Sequence, residues 1–372
     1  MSSFFIHDKN RVRIGVLQNE ESVQWLDSFK SPGEVKIVAR ITTLNFALLV
    51  VGNRIYNTDT KTSARIEHVD INEDRSQQEM TVRAVLTAKT LDNRVVMATE
   101  TITNVEAGMY GLFSRNLRGL PLLAAEPEGF PDVTETQISW GSVLEAIRTL
   151  SEASDLGFTV MFNPETTEET FKVYKGIDRS IVGNPNYVGY FGVDADNIYD
   201  ISISSGISKY KNVAVVAGEG EGADRVVRIV SLFNVSGEER RELFVDARDL
   251  QSTVQIATDT GTVDEHGNPI FEYEDKTYTA TEYNALLDNR GLEKLAENLA
   301  DFNIVCSVDQ TNLEYNRDYF LGDRMPVELK YYGLRASAVV SSVNLIYEQS
   351  GIRPVVTLTD FRLEDQNALF ST

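Results

Sequence analysis

Alternating apolar and polar positions dominate the first third of the chain. A period of two places successive side chains on opposite faces of a strand, so that one face can be buried and the other hydrated. Four segments show this alternation, and a short apolar run closed by Gly-Asn is interpreted as a strand buried on both faces. The five predicted strands are residues 35–39, 46–51, 65–71, 80–86 and 94–102. Short strands separated by turn residues predict a small barrel or sandwich over residues 1–125.

A Pro/Gly-rich stretch at residues 120–132 is predicted as a linker, and the clearest helical pattern of the chain follows it. Ser142 and Glu145 have the spacing of a capping box at the start of that helix. Apolar residues then recur every three to four positions, and Gly157 is predicted as a left-handed stop. Two strands are predicted directly behind the helix, at residues 158–162 and 171–174.

The rest of the chain returns to strands around a second predicted helix. The helix is predicted over residues 281–302, with Gly291 weakening its middle. Its predicted apolar face consists of Leu292, Leu295, Leu299 and Phe302. Residues 251–280 are polar and turn-rich, and residues 264–269 are predicted as an exposed loop. Further strands are predicted at residues 213–217, 225–230, 325–329, 338–346 and 354–358.

This order of elements predicts a mainly β fold with α+β insertions. We expect two small β-barrel domains, the first at residues 1–125 and the second formed by residues 191–250 together with 325–372. An α+β domain is expected at residues 126–190, and an inserted domain with the second helix at residues 251–324.

Charge excludes two classes of function. The 372 residues contain 35 Lys and Arg against 56 Asp and Glu, which gives a formal net charge of −21 and a pI of about 4.6. A protein that binds nucleic acid by neutralising phosphates needs the opposite sign, as does one that docks on anionic lipid through a basic patch. The 42% hydrophobic content is that of an ordinary folded protein.

The N-terminal sequence, the apolar runs and the cysteine content predict the compartment in which the protein is made. The N-terminus lacks a basic region before its first acid, and the longest apolar run, residues 46–51, is far shorter than the roughly 20 residues of a spanning helix. We therefore expect no signal peptide, no membrane segment and synthesis in a cytoplasm. The single cysteine, Cys306, lies between apolar neighbours and is predicted to be buried and unreactive.

Two glycine- or acid-rich segments superficially suggest ligand sites. Residues 218–222 read Gly-Glu-Gly-Glu-Gly, but a phosphate loop leads into a helix, and here a strand pattern follows two charge-repelling glutamates. We interpret this segment as a flexible acidic hairpin loop. Residues 194–197 begin like a calcium loop, but Ile198 and Tyr199 break the ligand spacing, so a solvated turn is predicted.

No other pattern selects a catalytic or metal site. His7, His68 and His266 lie in separate segments without partners at zinc spacing, and no Gly-x-Ser-x-Gly elbow occurs. A glycosidase needs only two carboxylates, and nothing among 56 acids selects such a pair. Residues 238–242 form a charge run that is predicted as a solvated strand edge. We predict no catalytic residue, no cofactor and no metal.

Four strings, in this order, resemble the siphophage tail-tip hub proteins. They are residues 171–180 (FKVYKGIDRS), 211–220 (KNVAVVAGEG), 241–248 (RELFVDAR) and 318–323 (DYFLGD). Relatives include the N-terminal hub region of tail-associated lysins and the myophage baseplate hub, and the resemblance spans residues 1–365. In the strings at 176–179 and 321–323 we interpret the glycines as turn residues with positive φ and the aspartates as turn caps.

The resemblance implies a structural virion protein without enzymatic activity. Such hubs form homotrimeric rings in which two barrel domains per chain mimic the six-fold tail tube. The expected partners are a distal tail or tube ring protein, tail fibre or tip proteins, the tape-measure protein, and DNA that passes through without specific binding. The expected location is the virion tail tip, with assembly in the host cytoplasm. The chain ends at Thr372 without the lytic extension of many relatives, so lytic activity is expected on another polypeptide.

Two alternatives stay open from the sequence. One is an acidic carbohydrate-active enzyme of the virion, and the other is the hub of a contractile injection system or gene-transfer particle. A further hypothesis concerns charge: acidic side chains that line the ring channel would repel DNA at close range. The competing explanation is that net charge of one sign keeps a crowded virion protein soluble.

Overall fold

The computed structural model describes residues 4–73, 78–180, 183–264 and 269–363. Its strands are β1 Phe4–His7, β2 Arg13–Val16, β3 Glu20–Ser28, β4 Glu34–Arg40, β5 Arg54–Asn57, β6 Thr62–Glu73, β7 Gln78–Leu86, β8 Glu100–Asn104, β9 Leu123–Ala124, β10 Val133–Ile138, β11 Leu156–Phe162, β12 Glu169–Lys175, β13 Phe191–Gly192, β14 Ile198–Gly206, β15 Val213–Ala217, β16 Val227–Ser231, β17 Glu242–Asp246, β18 Thr253–Val263, β19 Pro269–Thr277, β20 Asp301–Val308, β21 Arg324–Leu329, β22 Leu334–Glu348 and β23 Gly351–Leu363. Its α-helices are α1 Thr43–Leu48, α2 Val105–Arg115, α3 Val143–Glu152 and α4 Ala280–Ala296. The mainly β prediction with α+β elements is confirmed.

The chain folds into two compact units. The first unit contains Met1–Lys89, Gly157–Ser204 and Phe302–Thr372, and the second contains Thr90–Leu156 and Ser205–Asp301. The chain therefore leaves and re-enters each unit. These contacts divide the chain at other points than the four predicted domains, because β15, β16 and β17 group with the second unit instead of with the C-terminal strands.

One continuous sheet organises the first unit. Its strand order is β14-β20-β23-β22-β3-β4-β7-β6-β11-β12, with β5 and β1 attached beside β6 and with β21 attached to β22. β22 is long enough to pair with β21 along its first half and with β3 along its second half. The two predicted barrel regions therefore share one sheet through the β3–β22 ladder. No pairing among the described strands closes it into a barrel, so the two barrel domains stay a prediction.

Aromatic residues fill the core where N- and C-terminal strands meet. Trp25 is fully buried, stacks on Phe4 with ring centroids 6.0 Å apart, and donates its indole N–H to Thr62 Oγ1 at 3.2 Å. Tyr347 of β22 meets the edge of Phe4 at 4.8 Å and donates its hydroxyl to the Asp59 carboxylate at 3.0 Å. The burial of these large rings stabilises the β3–β22 junction by the hydrophobic effect.

A three-stranded sheet covered by one helix forms the centre of the second unit. β15 lies between antiparallel β16 and parallel β17. α4 packs on one face of this sheet, with Leu286, Leu287 and Leu295 in the shared core. Separate two-stranded pairs, β8–β10 and β18–β19, complete the unit together with α2 and α3.

The predicted strand at residues 46–51 is wrong, because residues 46–48 end a helix and a turn follows. Thr42 caps α1 by accepting the Asn45 amide, and the buried Asn45 side chain donates to the carbonyls of Gln18 and Arg40. Of the apolar residues that suggested a buried strand, Leu48 and Leu49 are buried in the core, whereas Phe46 is 58% exposed and residues 50–51 are exposed as well. The helix thus depends on hydrogen bonds to a distant segment, which apolar content alone does not reveal.

The residues between the first strands and α3 also differ from the prediction. Residues 94–102 are a strand only from Glu100 onward, and α2 follows with Asn104 as its N-cap. Glu106 of α2 is buried and accepts the amides of residues 128–130 at 2.7–2.8 Å. The predicted linker is therefore pinned to α2 by a carboxylate.

The capping box predicted for the first helix is found at the second helix instead. Ser142 caps α3 by accepting the Glu145 amide, but Glu145 pairs with Arg148 instead of completing a capping box. A full capping box occurs at α4, between Thr279 and Glu282. Gly157 does not end α3 with positive φ; it lies in β11, where any Cβ would collide with the Phe29 ring.

α4 ends earlier than predicted and buries another face. It stops at Ala296, and β20 begins at Asp301. Leu292 and Leu299 are exposed, so the predicted apolar face is only partly buried. Gly291 is required rather than merely tolerated, because a Cβ there would lie 2.9 Å from the Val216 and Val230 side chains. The region before α4, predicted as polar turns, forms the β18–β19 hairpin, and residues 265–268 of the predicted loop lie outside the described residues.

A buried carboxylate binds four residues from other segments of the first unit. Glu169 of β12 is 0% exposed and receives Arg11 at 2.6 Å, Arg54, Ser63 Oγ at 2.8 Å and Thr87 Oγ1 at 2.9 Å. Burial lowers the pKa of Arg54, and the charge of Glu169 opposes that shift. Each buried charge in this cluster is therefore compensated by a partner.

Substitution of Glu169 by Ala is expected to destabilise the protein by about 3–5 kcal/mol, because two guanidiniums whose side chains are only 14% and 13% exposed lose their counter-charge. Chemical denaturation followed by fluorescence measures the change in the free energy of unfolding. The matched control is Glu21→Ala, which breaks the exposed ion pair with Arg40 and should cost less than about 1 kcal/mol. Equal effects of the two substitutions would contradict the assignment.

Candidate functional site

The four strings that carry the family resemblance form two pairs in space. Residues 176–179 contact residues 321–324 in the first unit. Residues 211–217 pair in parallel with residues 241–246 in the second unit. In space, therefore, the first string contacts the fourth, and the second string pairs with the third. We call the first pair the Asp323 junction.

Two glycines bring the backbones of the Asp323 junction into contact. A Cβ on Gly176 would fall well inside contact distance of the Gly322 carbonyl oxygen. Gly322 has φ +92°, a left-handed conformation that glycine adopts without strain, whereas Gly176 is not in that region. The predicted turn role is therefore confirmed for Gly322. At Gly176 the structure corrects it, since close backbone approach is the constraint.

The carboxylate of Asp323 closes the junction. It is 1% exposed and accepts the Ile177 amide at 2.7 Å, the Arg179 guanidinium at 2.6 Å and the Phe320 amide at 3.0 Å. Asp323 therefore caps its own turn, as predicted for the motif, and also fixes a segment more than 140 residues away in the sequence. Charge-assisted bonds of this kind are about twice as strong as neutral ones.

Backbone hydrogen bonds and a second ion pair extend the junction. The Arg324 amide donates to Ile177 O at 3.0 Å, and the Arg179 amide donates to Arg324 O at 2.9 Å. The Arg324 side chain, which is buried, forms an ion pair with Asp360 of β23. The junction thus connects β12, β21 and β23 through named polar contacts.

An acid that forms no ion pair with the described residues lies beside the junction. Asp27 of β3 is half-buried near Tyr174 and Tyr315, and desolvation raises its pKa to about 6. The Ser28 amide, which donates to Asp27 at 2.9 Å, opposes that shift. Burial raises the pKa of Tyr174 and Tyr315, and the charge of Asp27 adds to both shifts. This arrangement makes ionised Asp27 unfavourable in the folded state.

The second pair of strings forms the parallel ladder of the second unit. Asn212 is buried and fixes the start of both strands: its side chain donates to Glu239 O and accepts the Arg241 amide, each at 2.8 Å. The ladder then runs from Val213 beside Glu242 to Ala217 beside Asp246. The string residues thus encode a strand pairing, and none of these contacts presents a reactive group.

The glycine-rich segment at residues 218–222 is a hairpin loop, as predicted. It joins β15 to antiparallel β16 through a single 3-10 turn, Gly222–Asp224, and not through the α-helix that a phosphate loop requires. Glu219 is held in place, because its amide donates to Tyr283 Oη at 2.8 Å and its carboxylate accepts the Ser252 amide at 3.0 Å. The loop therefore belongs to the core contacts of α4.

The other sequence candidates are dispersed. Residues 194–197 form a turn in which Asp194 pairs with Lys330 and buried Asn197 bonds backbone atoms of its own turn. His7 is buried, His68 is exposed beside Asp70, and His266 lies outside the described residues. In the part of the chain that the structure describes, no group of three His, Cys, Asp or Glu side chains could hold a metal ion.

Cys306 and the charge run at residues 238–242 lie where the sequence predicted them, in the core and at a strand edge. Cys306 is fully buried, and desolvation raises the pKa of its thiol to about 12. The charge run at residues 238–242 leads into β17, an edge strand. Within the described residues, no helix combines the length and apolarity that crossing a membrane requires. Sequence reasoning missed Asn212 and Glu169, whose only sequence signal is a polar residue beside or within an apolar strand.

Comparison with known proteins shows that this chain is similar to phage tail proteins. A family model for siphovirus ReqiPepy6 Gp37-like proteins matches residues 3–359. No curated protein matches the chain. The predicted resemblance to siphophage tail proteins is confirmed by the family match, which covers most of the sequence.

Three solved structures share the fold. They are the tail protein from Neisseria meningitidis MC58 (12% identity, TM-score 0.55, 96% of each chain covered), the 43 kDa tail protein of prophage MuSo2 from Shewanella oneidensis (9%, 0.55, 96% of this chain and 98% of that one) and prophage tail protein gp18 from Listeria monocytogenes EGD-e (13%, 0.51, 98% and 96%). At these identities the similarity is one of fold.

Substitution of Gly176 by Ala is expected to lower the free energy of unfolding by about 2–3 kcal/mol, because the new methyl group meets backbone that cannot yield easily. The control is Gly206→Ala, where a Cβ meets no atom within 4 Å and φ is not left-handed. Thermal or urea unfolding compares the two variants. A Gly176→Ala variant as stable as the control would contradict the close backbone contact.

The contribution of Asp27 to the free energy of unfolding is expected to fall as pH rises from about 4 to 6. The folded-state pKa of about 6 lies above the unfolded value of about 3.9, so the folded state retains a proton that it loses across this window. Asp27→Asn should remove this slope and stabilise the protein at pH 7 by about 1–2 kcal/mol. Urea unfolding at several pH values measures it, with the exposed Asp155→Asn as control. An unchanged slope in Asp27→Asn would refute the assignment.

Proposed function

Because this chain belongs to the siphovirus ReqiPepy6 Gp37-like protein family, we propose that it is a structural hub of the phage tail tip. In this proposal three copies form a ring that closes or extends the distal end of the tail tube. The ring anchors tip or fibre proteins and gives passage to the tape-measure protein and then to DNA. The family implies a place in the virion tail; the tip position and assembly in the host cytoplasm belong to the proposal.

The observation that carries this proposal is the extent of the family match. It runs from residue 3 to residue 359 and so includes both halves of the large sheet and the whole second unit. The β3–β22 ladder joins an N-terminal and a C-terminal set of strands within one chain. Three copies with two strand sets each would present six sets around a ring, which matches the symmetry of a six-fold tube.

The polar clusters support a structural role. Glu169 and Asp323 are buried and engaged by partners within the fold, so neither is poised to act on a substrate. The three solved structures that share the fold are named as tail proteins. We propose that the chain has no catalytic activity of its own and that a separate polypeptide supplies any lytic activity.

The net negative charge of the chain is assigned a role in this proposal. With 56 acidic and 35 basic residues, a trimer carries a large negative charge. A channel wall that carries part of this charge would repel DNA phosphates within about 8–10 Å at physiological salt and would not retain the genome. We propose that some of the carboxylates line the channel and that the rest keep the protein soluble.

The purified chain is expected to assemble as a trimer, alone or with the tail ring protein. Native mass spectrometry should give three times the chain mass of 41.6 kDa, and negative-stain images should show a ring with a central channel. A stable monomer, even when concentrated with its ring partner, would contradict the hub. A high-resolution reconstruction would also test the charge proposal, which fails if the channel wall is neutral or basic.

A further inference from the structure

One face of the three-stranded sheet in the second unit is apolar and uncovered. Val215 of β15 stands in register with Ile229 of β16 and with Phe244 of β17, so the three side chains form a row across the sheet. Ile229 is 62% exposed and Phe244 64%, and Val227 beside them is also exposed. We call Val215, Val227, Ile229 and Phe244 the apolar row.

The apolar row has no cover from its own chain among the described residues. Residues of the opposite face, such as Val216 and Val230, pack on α4, and strand geometry turns the row away from that helix. Exposed branched and aromatic side chains in direct register are unusual on a soluble surface without a partner. The row is therefore a candidate contact surface.

Two arginines lie together at the margin of the row. Arg225 and Arg248 both contact the single carboxylate of Asp246, at 2.6 Å each. Arg225 also lies over the Phe244 ring, with its guanidinium carbon 6.0 Å from the ring centroid. The two guanidiniums lie together at the edge of an apolar surface, on a chain that is otherwise strongly acidic, and Glu221 is a second acid that attracts Arg248.

The β18–β19 hairpin offers the complementary surface. Phe271, Tyr273 and Asp275 alternate along β19 and so share one face, with the two rings 6.4 Å apart. Tyr273 and Asp275 are exposed. The base of the hairpin is anchored on the α4 side of the sheet, since Val254 belongs to the core around α4. The hairpin of the same chain therefore cannot cover the apolar row in this structure.

We infer that the β18–β19 hairpin of one copy docks on the apolar row of a second copy. Phe271 and Tyr273 would lie on Ile229 and Phe244, and Asp275 would face the Arg225–Arg248 margin. The two surfaces are different patches of one chain, so the contact is head-to-tail and generates a ring when the rotation closes. This inference rests on the proposed ring and names the surfaces that hold its copies together.

A disulfide trap tests the contact directly. The only native cysteine, Cys306, is fully buried, so engineered thiols react without competition. One preparation carries Ile229→Cys and another carries Tyr273→Cys. Mixed under mild oxidation, they are expected to form a heterodimeric disulfide, whereas each alone should not. The matched control pairs Tyr273→Cys with Phe46→Cys, which is similarly exposed but lies in the first unit.

Charge reversal gives a second measurement. Arg248→Glu is expected to weaken self-association at least tenfold, because it places an acid opposite Asp275. Asp275→Arg in the same chain should restore the association. Absence of both the heterodimeric disulfide and the rescue in a chain that still forms trimers would overturn the contact and leave the hub proposal intact. A chain that stays monomeric and forms no disulfide would overturn both.

Discussion

The close contact between Gly176 and Gly322, closed by the Asp323 carboxylate, is the constraint on which the first unit depends. The chain leaves this unit at residue 204 and returns at residue 302, so its last strands must find their place after a long excursion. Asp323 binds both the Ile177 amide and the Arg179 guanidinium, and this fixes the returning segment against β12. The loop-closure entropy of so distant a contact has to be offset by strong, fully buried bonds.

Two buried carboxylates of the described residues are matched by arginines, whereas half-buried Asp27 is not. Glu169 and Asp323 each face arginines, and removing a partner from such a pair leaves an uncompensated ion in a medium of low polarity. These clusters favour the observed meeting of segments, because separating the segments within the folded protein would leave buried ions without partners. Asp27 has tyrosines instead of cations around it, and its raised pKa couples the β3 strand to pH.

The second unit combines one closed face with one open face of the same sheet. Gly291 lets α4 approach Val216 and Val230 closely, so that face is sealed by packing. The opposite face keeps Ile229 and Phe244 in solvent, although burying such side chains would release about 25 cal/mol per Å². A monomer gains nothing from this surface, whereas an assembly does, which is consistent with a chain from a family of virion tail proteins.

Local sequence patterns determined several strands, the start of one helix and the fold class of this protein. Strands with clear alternation, such as β4, β6 and β7, were predicted within a few residues, because which side chains alternate is a property of the segment itself. The start of α3 at Ser142 is likewise local, since a cap needs only residues within one turn. The family resemblance in four strings, with the fold class that it implies, was also present in the sequence, as were the burial of Cys306 and the hairpin at residues 218–222.

Contacts between distant residues were decided only by the tertiary structure. Residues 46–48 belong to a helix whose Asn45 bonds Gln18 and Arg40, and residues 253–263 pair with residues 269–277 as strands although most of their side chains are polar. The two predicted barrels share one sheet because β22 is long enough to pair with two neighbours on one side. Likewise, the glycine motifs were visible in the sequence, but their contact was not. Nothing in a local pattern shows that Gly176 and Gly322 touch, because the reason is the steric fit of two backbones that the fold brings together.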